Sequence, residues 1–348
     1  MGQLLTNICP NCGFVAFLDG QHCERCGVRL GFHHPSLTFH EVVDGVAVID
    51  GRRWIPCSRW DWQCNWLLAE DDERARCFSC RLNRTVPAAD DTIAQEKLAT
   101  TDVAKRRLLV QLMELGLPVV PWDESDIGLG FDMRSSFSGE RVTIGHASGV
   151  ITIDLAESLA DHREHLRVVL GEPYRTMLGH FRHEVGHYYQ WILVADDPLL
   201  AECRALFGDE RASYSDAIDR HYRLGPPDGW QAEYISSYAT MHPWEDFAET
   251  WAHYLHITGT LTSAGKGALR LEASRAHGLL PEDVVPRVDY GDATIEQILA
   301  DWQWLSLLFN RVNRAMGKDD LYPFTLVDPV KRKLGFVHRV ITEAPANA

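Results

Sequence analysis

The stretch His183-Glu184-Val185-Gly186-His187 reads H-E-x-x-H and lies inside a long helical pattern. Because an α-helix turns once in about 3.6 residues, side chains four apart project from one face, so both imidazoles can reach one metal ion. Glu184 is rotated by roughly 100° from His183, where its carboxylate can hold and deprotonate a water molecule on that ion. The pattern predicts a zinc site and metal-assisted hydrolysis, usually of a peptide bond, with Glu184 as the general base.

Two histidines do not complete a catalytic zinc site, so a third protein ligand is expected. The best candidates are Glu245 and Glu249, four residues apart on a helix whose apolar stripe is formed by Trp244, Phe247, Trp251 and Leu255. One carboxylate can bind the metal, and the other, one turn on, can accept the free N–H of a liganding histidine. We favour Glu245 as the ligand and Glu249 as its support. The reverse order remains open, as does a plain helix start in which Glu245 only complements the helix dipole.

Tyr238 precedes Glu245 by seven residues and is a candidate to donate a hydrogen bond to the oxyanion of the reaction. Structural packing of this tyrosine is the alternative. His242 is a weaker candidate for the same role. His180, one turn before His183, is expected to support the site or to be a satisfied core residue, while His253 and its neighbour at position 256 are expected to pack rather than bind metal.

Eight of the nine cysteines precede residue 81, and they fall into two sets of four. The first set consists of two C-x-x-C pairs separated by ten residues: Cys9, Cys12, Cys23 and Cys26. Two such pairs joined by a short loop present four thiolates as a tetrahedron, which is what structural zinc requires. The alternative, disulfides in a secreted domain, is disfavoured because no signal peptide is visible.

The second set contains one regular C-x-x-C pair and a looser one: Cys57, Cys64, Cys77 and Cys80. It is predicted to be a second structural zinc site, although another metal is possible. Four tryptophans surround it, at positions 54, 60, 62 and 66, and are expected to form a small core around the metal rather than a ligand platform. Cys203 stands apart and is expected to be a small buried apolar residue rather than a nucleophile.

The composition of the 348-residue chain is that of a globular protein, with 45% hydrophobic and 24% charged residues and a net charge of −15. Residues 1–88 carry 9 basic and 10 acidic side chains, or −1, so the remainder carries −14. A field of that sign repels phosphate backbones, which makes nucleic acid an unlikely partner of the larger part. No apolar run is long enough for a membrane span and no secretory signal is visible, so we expect a cytoplasmic protein with no membrane partner.

Local patterns predict a helix from Asp90 to about Leu115, in which Lys105-Arg106-Arg107 forms a solvated face. A strand is expected at 128–133, followed by a hairpin of residues 141–144 and 150–155 around Ala147-Ser-Gly149.

The metal-binding helix is expected to start at Pro173 and to end near Leu193. The tail from residue 333 reads as partly strand-like and is expected to fray at its end.

Four stretches of the chain together resemble a bacterial family of zinc-binding metallopeptidases with an N-terminal zinc-ribbon region. They are Cys64-Asn-Trp-Leu-Leu, Cys77-x2-Cys80-Arg-Leu-Asn-Arg, Gly179-His-Phe-Arg-His-Glu-Val-Gly-His-Tyr-Tyr and Pro243-Trp-Glu-Asp-Phe-Ala-Glu-Thr-Trp-Ala-His-Tyr-Leu-His. The resemblance spans nearly the whole chain. It implies an α+β fold with a zincin-like metallopeptidase domain of the gluzincin type at 89–348, mostly helical with a small sheet. A zinc-ribbon module at 1–88 precedes it, with one site in 1–40 and one in 41–88.

The segment from Glu245 to Glu249 also resembles the third-ligand helix of lethal-factor-type zincins, in which a tyrosine precedes the ligand by a similar distance. This resemblance implies that Glu245 is the ligand, Glu249 its support and Tyr238 the oxyanion partner. The expected cofactors are one catalytic and two structural zinc ions. The expected partners are a peptide or protein substrate and, through the ribbons, another protein.

Three other functions remain open at the level of sequence. The chain could hydrolyse a non-peptide amide, which a small closed pocket rather than an open groove would favour. It could be an interaction or adaptor protein with a latent zincin domain, but an intact Glu184 argues against degeneration of the site. The ribbons could bind nucleic acid, but their near-neutral charge makes this weak.

Overall fold

The computed structural model describes residues 7–136, 142–158, 176–276 and 278–345. The chain forms two compact units, residues 1–163 in the first and 164–346 in the second, with the last two residues assigned to the first. The predicted domain boundary between residues 88 and 89 lies inside the first unit and stays a prediction.

The first unit contains the β-structure of the described residues, in three small sheets. Strands β1 and β2 form an antiparallel hairpin, and β3, β4 and β5 form an antiparallel sheet in that order. In the third sheet, of order β6-β7-β9-β8, β7 runs parallel to both β6 and β9, while β8 is antiparallel to β9. The strands are β1 Leu30–His33, β2 Thr38–Glu41, β3 Ala47–Ile49, β4 Arg52–Pro56, β5 Leu67–Ala69, β6 Asn83–Thr85, β7 Gly130–Arg134, β8 Gly145–Ala147 and β9 Val150–Asp154.

The predicted hairpin exists, but its first strand lies later than expected. Ala147 pairs with Val150 directly across a two-residue turn at Ser148 and Gly149, both of which have positive φ (47° and 81°). Such a turn requires the strands to start at its immediate flanks, so β8 occupies 145–147 and not 141–144. Residue 141 itself lies outside the described residues.

The α-helices in the described part of the first unit are α1 Phe78–Arg81, which contains Cys80, and α2 Thr92–Glu114. Helix α2 confirms the predicted helix, and Asp91 caps it by accepting a hydrogen bond from the backbone N–H of Ala94 at 3.0 Å.

The expectation of a solvated basic face on α2 was wrong. Lys105 is 0% exposed and Arg106 is 2% exposed. Lys105 lies 2.8 Å from the carboxylate of Asp102 and also donates to the Asn83 side chain, while Arg106 donates to the carbonyl of Gln63 at 2.8 Å. Buried charges persist when such partners are present. Two of the three basic residues therefore pair internally, and the expectation holds for Arg107 alone, which is exposed.

The second unit is helical in its described part: α3 Met177–Leu193, α4 Asp197–Phe207, α5 Tyr214–Leu224, α6 Pro243–Lys266, α7 Ile295–Ala315 and α8 Asp328–Thr342. Helix α3 ends at Leu193 as predicted. It begins at Met177, because the side chain of Thr176 accepts a hydrogen bond from Gly179 N–H and caps the helix there. The expected start at Pro173 lies outside the described residues.

The strand-like reading of the tail was wrong, because residues Asp328–Thr342 form α8. Its buried residues Val330, Leu334, Val337 and Ile341 recur at spacings of four, three and four, which is a helical period. The prediction considered the tail only from residue 333, and this stretch is too short to reveal that period.

Helices α3 and α6 pack closely at Gly186. A Cβ at this position would lie 3.0 Å from the Cα of Ala248 and 3.1 Å from the Cβ of Trp251. One turn on, the ring of Tyr189 stacks on Trp251 with centroids 5.0 Å apart. Because glycine removes the side chain at the crossing, the two helix backbones approach closely enough for short acidic side chains of α6 to reach the histidines of α3.

Gly186→Ala is therefore expected to separate α3 from α6 and to weaken metal binding. Overpacking of a well-packed core costs about 1–3 kcal/mol, and a small shift of either helix also moves donor atoms that must converge within a few ångströms. Thermal unfolding and metal titration of this variant would measure both effects. Gly317→Ala at the end of α7, where a Cβ meets nothing within 4 Å but φ is +73°, serves as a comparison in which only backbone strain is added. Normal zinc binding by Gly186→Ala would contradict the role of this contact.

Candidate metal centre

Three donor groups converge between α3 and α6. Nε2 of His183 lies 2.9 Å from Oε2 of Glu245, and Nε2 of His187 lies 3.5 Å from the same oxygen. The donor atoms of these three residues all lie within 4.8 Å of one another. A tetrahedral zinc site with bonds of about 2.1 Å places its donors about 3.4 Å apart. The spacing of the three groups thus fits zinc, and three protein ligands are the usual number in a catalytic site.

The surroundings of His183 also favour a positive charge at its ring, either a second proton or a metal ion. Its Nδ1 lies 2.7 Å from Oε1 of Glu249, so both ring nitrogens face carboxylates. A neutral imidazole has one N–H, and it can satisfy only one of these acceptors. Burial disfavours the charged ring, but Glu245 and Glu249 together raise the pKa of His183 well above its ordinary value. The position at Nε2 suits a proton or a metal ion, and two imidazoles with one carboxylate are a donor set found in catalytic zinc sites.

Glu249 supports the ring of His183 rather than meeting both histidines. Its second oxygen, Oε2, accepts a hydrogen bond from the hydroxyl of Ser236 at 2.7 Å. A carboxylate held in this way fixes the ring orientation and leaves Nε2 directed at the metal position. The structure therefore brings Glu245 to the histidine pair and places Glu249 behind it.

Glu184 lies beside the histidines with one carboxylate oxygen available. Oε1 lies 3.3 Å from Nε2 of His180, whereas Oε2 is buried and has no hydrogen-bond partner among the described residues. Burial by itself raises the pKa of Glu184, but His180, His183 and His187 together lower it below its ordinary value. A carboxylate kept ionised with a free oxygen is suited to accept a proton.

The aromatic residues near the site differ in what they contact. The ring of Tyr238 lies 5.9 Å from the ring of His183, and Trp244 stacks on His187 with centroids 5.2 Å apart. The hydroxyl of Tyr214 donates a hydrogen bond to Oε1 of Glu245 at 2.9 Å. Tyr214 was missed by the sequence analysis, because a tyrosine 31 residues before Glu245 on a polar surface helix carries no local signal.

His242 is occupied by structural bonds and is not free for the oxyanion role. Its Nδ1 accepts a hydrogen bond from Trp244 N–H at 3.1 Å, and its Nε2 donates to the carbonyl of Ala212 at 3.0 Å. These two bonds fix its tautomer and make it the cap of α6. His253 packs as expected: its Nδ1 lies 2.8 Å from the hydroxyl of Tyr322.

A buried ion pair lies directly behind the ligand. Nζ of Lys333 on α8 lies 2.6 Å from Oδ2 of Asp246 and donates to the carbonyl of Glu233 at 3.0 Å. Burial raises the pKa of Asp246 to about 7, against the opposing effect of Lys333. Since Asp246 follows Glu245 in the first turn of α6, this pair anchors the helix end that presents the ligand.

The two cysteine sets of the first unit are each assembled from all four predicted residues. In the first set, Sγ of Cys9 lies 3.6 Å from that of Cys26, and Cys12 lies equally far from Cys23. In the second set, Sγ of Cys64 lies 3.5 Å from Cys77 and 3.7 Å from Cys80, and Cys57 completes the group. Tetrahedral zinc with bonds of about 2.3 Å to sulfur places its donors about 3.8 Å apart, so both sets fit.

The two cysteine sets differ in their exposure. All four cysteines of the second set are buried, whereas Cys26 of the first is exposed. Of the four tryptophans expected to form a core near the second set, Trp54 and Trp66 are buried, whereas Trp60 and Trp62 are only partly buried. Cys203 is also buried, and burial raises the pKa of its thiol to about 12, which makes it a poor nucleophile.

A buried His₂-carboxylate group and two Cys₄ groups define a metalloprotein that can hold zinc at three places. Comparison with known proteins specifies the class further. The profile of a family described as "Putative zinc-binding metallo-peptidase" matches residues 94–340, and the profile of a zinc-ribbon domain matches residues 6–91. The chain belongs to this metallopeptidase family, with the zinc-ribbon domain at its N-terminal end, and the predicted family and fold class are confirmed.

The chain is also similar to three mycobacterial proteins described as uncharacterized, one from Mycobacterium bovis and two from strains of Mycobacterium tuberculosis. Each is 44% identical over 338 residues, which cover 96% of this chain and 94% of the relative. No solved structure matches the chain. Within the described residues, no helix is long and apolar enough to cross a membrane.

Proposed function

We propose that the chain is a zinc-dependent metallopeptidase that hydrolyses a peptide bond, with Glu184 as the general base. The observation that carries this proposal is that Glu184, which interacts electrostatically with His183 and His187, keeps a buried oxygen without a hydrogen-bond partner among the described residues, while three other donors converge. A purely structural metal site has four protein ligands and needs no adjacent base, whereas this site offers three ligands and a carboxylate. This combination supports catalysis.

His183, His187 and Glu245 are the residues that would hold the ion. When bound, zinc would act as a Lewis acid that polarises the substrate carbonyl, and it would lower the pKa of a water molecule bound to it to about 7. Glu249 holds the N–H at Nδ1 of His183 and so keeps Nε2 free of a proton in the loaded site.

Glu184 carries the proton through the reaction. Its Oε2 accepts a proton from the attacking water and returns it to the nitrogen of the leaving amine. His180 contacts Oε1, which leaves Oε2 as the oxygen that can take the proton. The hydroxyl of Tyr238 is proposed to donate a hydrogen bond to the oxyanion that forms from the substrate carbonyl.

The proposed partners follow from the match to a metallopeptidase family and a zinc-ribbon domain. The substrate is a peptide or protein, and the zinc-ribbon domain recruits a protein partner. A net charge of −15 repels nucleic acid from the chain as a whole. The proposed location is the cytoplasm.

Metal analysis of the full chain tests the proposal. We expect about three zinc ions per chain, of which His183→Ala removes one because a two-ligand site holds zinc weakly. A comparison of newly formed protein termini in cells that express the wild type or Glu184→Gln would then identify substrates. Two zinc ions in the wild type, unchanged in His183→Ala, would refute the catalytic site.

A further inference from the structure

The carboxylate of Glu245 is held by a residue from a separate helix. Oε2 faces Nε2 of both histidines, while Oε1 accepts a hydrogen bond from the hydroxyl of Tyr214 at 2.9 Å. The two oxygens of one carboxylate thus have different tasks: one faces the metal position and the other faces a neutral donor. Tyr214 is the first residue of α5 and is 43% exposed.

Hydrogen bonds, rather than core packing, place α5 at the site. This helix contains no buried residue. The carbonyl of Ala212, just before it, accepts a hydrogen bond from Nε2 of His242 at 3.0 Å, and Arg220 donates to the carbonyl of Met241 at 3.1 Å. Both bonds reach the turn that precedes Glu245. The phenol of Tyr214 is therefore fixed relative to the carboxylate that it contacts.

The two tyrosines near the site make different contacts. Tyr214 donates a hydrogen bond to the carboxylate of Glu245, whereas Tyr238 lies against the ring of His183 and interacts with Tyr214. Of the two hydroxyls, that of Tyr214 is directed at Glu245.

We propose that Tyr214 is a positioning residue of the metal centre, which holds Oε1 of Glu245 so that only Oε2 binds the ion. A carboxylate with both oxygens free can bind a metal through both and thereby occupy a position that water or substrate needs. A hydrogen bond to one oxygen prevents this and orients the other. This assignment rests on the proposed zinc site, but it does not require that the substrate be a peptide.

The test uses the full chain with its cysteine sites loaded with zinc and compares the wild type with Tyr214→Phe. The control is Tyr222→Phe, the same change on the same helix at a side chain that is 62% exposed. Competition with a chelator measures zinc affinity at the His₂-carboxylate site. We expect Tyr214→Phe to lower it about 10-fold, in the range found when a partner of a metal ligand is lost, and Tyr222→Phe to leave it unchanged.

Cobalt bound at the same site supplies a second measurement, its visible absorption spectrum, which a general loss of stability would not change. In Tyr214→Phe, release of Oε1 raises the coordination number, so the visible d–d absorption of cobalt weakens relative to the wild type and to Tyr222→Phe. Equal affinity and equal spectra in Tyr214→Phe and the wild type would overturn the assignment. If His183→Ala fails to remove the ion that is being measured, the metal centre itself is refuted. If the ion binds and responds to Tyr214→Phe but no peptide is cleaved, only the proposed peptidase activity fails.

Discussion

Replacement of Glu184 by glutamine is expected to lower kcat/KM by about 10²–10⁴-fold while the zinc content stays unchanged. Glutamine has nearly the same shape and can keep a contact with His180, but it cannot accept the proton from water. Because Glu184 is not among the three converging donors, its loss leaves the ion in place. Peptide hydrolysis and metal content, measured on the same preparation, separate the two effects.

Glu202→Gln is the matched control for this experiment. Glu202 lies on α4, is 43% exposed and pairs with Arg339, so its change removes one surface charge without touching the site. We expect activity close to the wild type. Full activity in Glu184→Gln would show that another group takes the proton, and loss of zinc in that variant would mean that Glu184 is a ligand.

The second large effect is expected on stability. Lys333→Met should lower the free energy of unfolding by about 3–5 kcal/mol near pH 8, because it leaves the carboxylate of Asp246 buried without its cation. Urea unfolding at a fixed zinc concentration would measure this. Lys331→Met is the control: it lies two residues earlier on α8, its side chain is 48% exposed, and its pair with Asp328 is a surface contact that contributes little.

The pH dependence of Lys333→Met follows from the pKa of Asp246. Burial raises this pKa from 3.8 to about 7, so the folded state binds the proton more tightly than the unfolded state does. The contribution of Asp246 to stability is thus full below about pH 4 and is lost as the pH rises through 7. Without Lys333 the pKa rises further, and the loss continues above pH 7. The difference between variant and wild type should therefore grow from pH 5 to pH 8, and a constant or shrinking difference would contradict this account.

The histidine pair, the cysteine sets and the acidic helix could be predicted because each is encoded by short spacing. Positions i and i+4 share a helix face whatever the rest of the chain does, which holds for His183 with His187 and for Glu245 with Glu249. That α6 lies against α3 was an inference from the pattern, and the space left by Gly186 shows how the two helices come so close.

Features that depend on distant partners could not be predicted. Lys105 and Arg106 read as solvated because the groups that accept their hydrogen bonds, the Asn83 side chain and the carbonyl of Gln63, lie far away in the sequence. Tyr214 could not be predicted for the same reason, because its partner Glu245 lies far away in the sequence. Nothing in the local pattern of α5 distinguishes this tyrosine from the exposed Tyr222.

Strand β6 has a bearing on how this protein can be dissected. It lies within the stretch matched by the zinc-ribbon profile, yet it pairs with β7, which belongs to the stretch matched by the metallopeptidase profile. A fragment that starts after residue 91 would lack β6. One edge of β7 would then have unpaired backbone amides and carbonyls, which can pair with a strand of another molecule. Preparations of the isolated portion that the metallopeptidase profile matches should therefore precipitate more readily than the intact polypeptide, and the ribbon is better regarded as a built-in part of the scaffold than as a detachable accessory.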